Sequence, residues 1–129
     1  MQTFEKTITV TKTDLDQLNH VNNVRYVQWV QDIAESHWLK NVTKDILDNF
    51  FWVLLSHHIE YKNQAVLGDV LQLKTYVSKS EGITSTRYVE ITNKNTGKII
   101  VVSETKWCFM NATTKRPTRI TPEVSTLFD

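Results

Sequence analysis

The chain has 129 residues and a mass of 15.1 kDa; 22% of its residues are charged and 40% hydrophobic, which fits one compact soluble domain, residues 1–129, rather than a two-domain enzyme. Fifteen Lys and Arg against fourteen Asp and Glu give a formal charge of +1, too even for a protein that holds nucleic acid or a membrane surface through bulk electrostatics. Three scattered glycines exclude a Gly-rich nucleotide cradle, a lone Cys108 excludes an internal disulfide, and the longest apolar run, Phe50 to Leu55, is six residues against the roughly 20 of a membrane helix.

The opening MQTFEKTITV has no basic region ahead of an apolar run, so a cytoplasmic location is expected. From Thr3 to Thr11 the residues alternate instead. Phe4, Ile8 and Val10 lie on one side and Thr3, Glu5, Thr7 and Thr9 on the other, the period of a half-buried strand, with Lys6 interrupting the apolar side. After the polar stretch KTDLDQLNHVNN the period changes to 3.6. Tyr26, Val27, Trp29, Val30, Ile33, Ala34, His37 and Trp38 occupy one half of a helical wheel, and Arg25, Gln28, Gln31, Asp32, Glu35 and Ser36 the other. Asn22 or Asn23 is the expected cap, since a short acceptor satisfies a free N–H of the first turn. His37 falls in the apolar half and reads as a core histidine. A second short helix is expected over Thr43 to Asn49, with Thr43 as cap.

Beyond Phe50 the pattern is that of strands: Phe51 to Tyr61, Val70 to Ser78 with Leu71, Leu73 and Val77 on one face, Ile83 to Thr92 with Ile83, Val89 and Ile91 on one face, and Ile99 to Met110. Gly68, Gly82 and Asn95-Thr96-Gly97 supply the turns, so these four strands are expected to run antiparallel in succession. A terminal helix, Thr121 to Phe128, has Thr121 as cap and Pro122 at its first position. The resulting class is α+β, a five-stranded antiparallel sheet covering the apolar face of one long helix.

The segment Asp14-Leu15-Asp16-Gln17-Leu18-Asn19-His20-Val21-Asn22-Asn23 sets two carboxylates and an imidazole just before a helix N-terminus, where unpaired N–H groups and the positive end of the dipole attract developing negative charge. Such a terminus polarises a thioester carbonyl, and a neighbouring carboxylate attacks it or activates water. With Tyr26 and Trp29 the stretch resembles the signature D-x-D-x-x-G-H-V-N-N-x-x-Y-x-x-[WF] of hotdog-fold thioesterases of the 4-hydroxybenzoyl-CoA type, matching at eight positions, with Asn19 in place of Gly. Thr114 to Pro122 is similar to the T-G-[RK]-P-x-R-I-P ending of that family, with Lys115 in place of Gly.

The resemblance implies a hotdog fold, a sheet wrapped around the helix, and hydrolysis of an acyl-CoA to acid and CoA without metal or cofactor. It makes Asp16 the catalytic carboxylate and the backbone N–H of Asn23 the donor to the thioester carbonyl. His20 is either a catalytic partner or an anchor of the loop, Asn22 a cap that also serves the substrate site, and Asp14 structural. The family works as a homodimer or homotetramer with the substrate between subunits; nucleic acid and membrane are not expected partners. Plant-type acyl-ACP thioesterases are similar in part. Asp16 and His20 match their D-x-N-x-H-V-N-N stretch and Ile59-Glu60-Tyr61-Lys62 their L-E-Y-R run, but Leu18 stands where they have Asn and Gln64-Ala65 where they have E-C. Acyl-ACP is therefore the alternative substrate, and a module that binds acyl thioesters without cleaving them the alternative function. A hydratase on the same fold ranks below both, because its His and carboxylate come from different elements.

Further residues admit two readings each. Tyr26 belongs to the core face and is a candidate substrate contact. Glu60 either lines the acyl pocket or pairs with Lys62, and its spacing from His58 is one that metal sites use but lacks a second ligand pair. Arg87 is either a solvated charge at a strand end or a contact for a CoA phosphate. Lys115, Arg116 and Arg119 form a basic cluster that could meet the same phosphates, or an ordinary solvated loop.

Overall fold

Alternation and periodicity translate directly into elements in the computed structural model, which describes residues 1–129. In chain order these are β1 (Thr3–Thr9), a single 3-10 turn at Lys12–Asp14, α1 (Asn23–Asn41), α2 (Lys44–Asn49), β2 (Phe50–Tyr61), β3 (Val70–Glu81), β4 (Thr84–Asn93), β5 (Ile99–Asn111) and α3 (Pro122–Ser125), followed by a 3-10 turn at Thr126–Phe128. The expected terminal helix is thus split into two turns. β1 ends two residues early, because Val10 turns into the core and exchanges main-chain hydrogen bonds with Asp69 and Gly68 instead of with a strand. Asn22 caps α1, its Oδ1 accepting the Val24 N–H at 3.0 Å, and Thr43 caps α2 through the Ile46 N–H at 3.2 Å.

All five strands form one antiparallel sheet in the order β1-β3-β4-β5-β2. β3, β4 and β5 pair in succession as the turns require. β2 does not pair with β3: it lies at the edge beside β5, paired from Phe50 opposite Asn111 to Tyr61 opposite Val101 with a register shift between Leu54 and Ser56, while β1 takes the place beside β3. Residues 62–69 therefore cross three strand spacings, about 14 Å, which eight residues of extended chain span with slack.

The sheet face that α1 covers is apolar at one end and polar at the other. Tyr26, Val30 and Ile33 of α1 pack on Leu71 and Leu73 of β3, Val89 and Ile91 of β4 and Val101 of β5, all nearly inaccessible to solvent. A second cluster of Ile46, Phe109 and Val124 closes the far end beneath Trp38 and Trp52. Between the two clusters the same face presents Thr75, Ser85, Arg87, Ser103 and Thr105, every one of them buried. His37, fully enclosed, faces this polar stripe from α1.

Candidate active site

The loop leading into α1 is held by its own backbone. Asp16 N–H donates to the His20 carbonyl at 2.7 Å and Asn22 N–H to the Asp14 carbonyl at 2.9 Å, with Leu15 and Val21 paired between them, so the loop doubles back on itself. Asn19 turns the tip at φ +64°, a left-handed conformation that Asn tolerates better than other side chains do and Gly adopts freely. Asp14 is the anchor, as expected. Its Oδ2 accepts the Thr11 N–H at 2.8 Å and the Thr11 hydroxyl at 3.1 Å, and its Oδ1 pairs with Arg25 Nε at 3.0 Å.

Asp16 is half-buried, and its two oxygens are treated differently. Oδ1 accepts the Leu18 N–H at 2.8 Å and the His20 N–H at 3.1 Å; Oδ2 has no protein partner. One oxygen is held by two donors and the other has none. The Asn23 N–H, the first of α1, likewise meets no acceptor in the chain, as expected of an uncapped donor at a helix start. A carbonyl oxygen there would receive both the hydrogen bond and the helix dipole.

The remaining expected residues divide. His20 anchors the loop through its main chain, which also bridges to Val66, and its ring makes no hydrogen bond. Leu18, where plant-type enzymes carry Asn, is 72% exposed and contributes only its N–H. Tyr26 is in the core at 3% exposure, edge-on to Trp29, rather than on a substrate surface. Its hydroxyl accepts the buried Ala65 N–H at 3.2 Å, and burial raises its pKa above the usual tyrosine value. Replacing Tyr26 with Phe leaves that N–H unpaired, and a thermal melt should show a loss of about 1–2 kcal/mol. Glu60 is exposed, 3.5 Å from Lys62 Nζ and 3.9 Å from His58 Nε2.

Arg87 departs from the expectation of a solvated strand end. It sits mid-β4 facing α1 at 6% exposure, Nη1 donating to His37 Nδ1 at 2.9 Å and to Thr75 Oγ1 at 3.0 Å. Since His37 Nδ1 accepts, its Nε2 carries the proton and donates to Gln2 Oε1 at 2.7 Å. Burial first, then Arg87 and Lys40, lower the His37 pKa to about 4, and burial lowers that of Arg87 to about 10. At neutral pH the pair is thus a neutral imidazole and a charged guanidinium. The sequence held one sign of this: Arg87 shares its alternation with the inward Val89 and Ile91.

A sheet packed on one long helix, with a carboxylate loop at the helix start, defines the hotdog class. The thioesterase-like superfamily pattern matches residues 10–128, and the chain belongs to that superfamily. It is 30% identical over 111 residues to a chloroplastic acyl-[acyl-carrier-protein] hydrolase of Cuphea viscosissima, covering 86% of this chain and 24% of that protein. It is 32% identical over 76 residues to a chloroplastic palmitoyl-acyl carrier protein thioesterase of Gossypium hirsutum, covering 59% of this chain and 18% of the other. The chain spans about a quarter or less of the length of these two relatives. Among solved structures, a 1,4-dihydroxy-2-naphthoyl-CoA thioesterase from Synechocystis superposes with a TM-score of 0.84 at 16% identity over 98% of this chain and 95% of that one. A Staphylococcus aureus protein solved in complex with CoA gives 0.87 at 22% identity over 98% and 81%. No helix of the structure is long and apolar enough to cross a membrane.

Proposed function

We propose that the chain hydrolyses acyl thioesters, with Asp16 as the reacting carboxylate and the Asn23 N–H as donor to the thioester oxygen. The observation that carries this reading is the divided Asp16 carboxylate: two backbone N–H groups hold Oδ1, while Oδ2 stays unpartnered in the loop that leads into the helix whose first N–H, that of Asn23, is also unpartnered. A carbonyl bound to that N–H gains stabilisation as its oxygen becomes anionic. Oδ2 either attacks the carbonyl carbon, expelling the thiolate and leaving a mixed anhydride that water then hydrolyses, or takes a proton from water as it adds, after which the C–S bond breaks and the thiolate leaves. Asn22 caps the helix and keeps that terminus open, and His20 holds the carboxylate through its main chain. Neither metal nor cofactor takes part in these steps.

Acyl-CoA is the first substrate class. Acyl-ACP is a second reading, favoured by the acyl-carrier-protein thioesterases among the sequence relatives. The chain acts as a homodimer or homotetramer. The unpaired edge of β2, where Val53, Leu54 and Leu55 are exposed, supports this, because such an edge invites a second strand. Thiol release followed with a thiol-reactive dye, over a panel of short, long and aromatic acyl-CoAs and an acyl-ACP, tests the activity. Turnover of at least one CoA ester is expected; turnover of acyl-ACP alone moves the substrate to the carrier protein, and none at all overturns hydrolysis.

A further inference from the structure

A cavity of about 470 Å³ lies between the C-terminal half of α1, the start of β2 and the inner face of β3 to β5. Ten of its fourteen lining residues are apolar, Trp38, Phe50, Trp52 and Phe128 among them, so its walls suit a hydrocarbon body. It is not the Asp16 site of the same chain. Its first lining residue on α1, Gln31, comes eight residues after Asn23, about 12 Å along the helix.

Arg87 lines this cavity without a counter-ion. Its Nη1 uses both N–H groups on neutral acceptors, His37 and Thr75, and no carboxylate comes within ion-pair distance; Glu35, which also lines the cavity, is exposed and unpaired with it. The ring of Phe128, 5.3 Å from the guanidinium carbon, covers a face of the group but accepts none of its edge hydrogens. Three N–H groups, on Nε and Nη2, find no acceptor in the protein. No side-chain nitrogen in the chain is both sealed and unpartnered, so Nε and Nη2 are not closed off by protein, and the cavity is one that Arg87 lines.

A buried charge with only neutral partners is costly, and an anion removes that cost. We infer that the cavity is a binding site for a monocarboxylate with an apolar body, its two oxygens on the free N–H fork of Arg87 and its chain among Trp38, Phe50 and Trp52. The planar fork matches a carboxylate in two parallel hydrogen bonds. One buried cation in an apolar chamber matches one negative charge, not the several of a CoA pyrophosphate. The site requires no thioester cleavage, so it stands or falls separately from hydrolysis.

Calorimetric titration of the full chain with decanoate and with decan-1-ol at pH 7.5, both below their aggregation limits and with no thioester present, tests it. An apolar chamber alone prefers the alcohol, because the carboxylate must shed its water. Decanoate is expected to bind one per chain and at least tenfold tighter than decanol. Arg87→Met, similar in length and uncharged, is expected to reverse the preference. Equal or weaker binding of decanoate by the unaltered chain overturns the inference even if the variant does not fold, as does a folded Arg87→Met that keeps the acid preference.

Discussion

Asp16→Asn is expected to lower kcat for thioester cleavage by about 10² to 10⁴, the range that a positioned acid–base or nucleophilic carboxylate contributes. The substitution keeps the shape and the Oδ1 acceptor, so the Leu18 and His20 N–H groups remain satisfied and the loop retains its turn. Only the charge and the basicity of Oδ2 are removed. The melting temperature and KM should therefore stay close to those of the unaltered chain while kcat collapses, a split that separates loss of chemistry from loss of fold. Asp16→Ala is the informative contrast, because it also leaves two loop donors without their acceptor and lowers stability as well. An Asp16→Asn protein that turns over thioester at the original rate removes Asp16 from the chemistry.

The second large effect is on stability against pH. His37 has a pKa of about 4 in the folded chain against 6.5 when unfolded, through burial first and then the charges of Arg87 and Lys40. The unfolded chain thus binds a proton that the folded chain refuses. The contribution is complete above pH 6.5 and is lost as pH falls from there towards 4. By pH 5 about 2 kcal/mol is gone, roughly 6–8 °C in melting temperature for a chain of this size, while most carboxylates are still ionised. His57 is shifted downward too, by burial and by His58, and adds to the slope. His37→Gln, which keeps an acceptor for Arg87 without titrating, should remove the larger share of the loss between pH 7.5 and 5. A melting temperature flat over that interval in the unaltered chain contradicts a neutral, enclosed His37.

The same two sites show how far local pattern reaches. The Asp16 loop is legible because its parts are neighbours in the chain: the carboxylate, the turn at Asn19, the cap Asn22 and the helix donor at Asn23 span eight residues, and their geometry follows from main-chain hydrogen bonds within that span. The helix and strands are legible for the same reason, since a periodicity of 3.6 or 2 is written residue by residue. Their ends shift where a distant partner intervenes, as when Val10 leaves β1 to meet Asp69 and Gly68.

What the amino-acid order determined alone, then, is the α+β class, the element types, the resemblance to hotdog thioesterases and the candidate carboxylate. Tertiary structure decided the rest. The edge position of β2 depends on which strand offers the better ladder, and its partners on β5 lie 40 to 61 residues away, a choice no local pattern records. Tyr26 became a brace for Ala65, 39 residues away, and Arg87 became a buried cation on His37, 50 residues away. Side chains so far apart meet only once the helix has settled on the sheet, and the charge or neutrality of each follows from that contact and from the water it excludes.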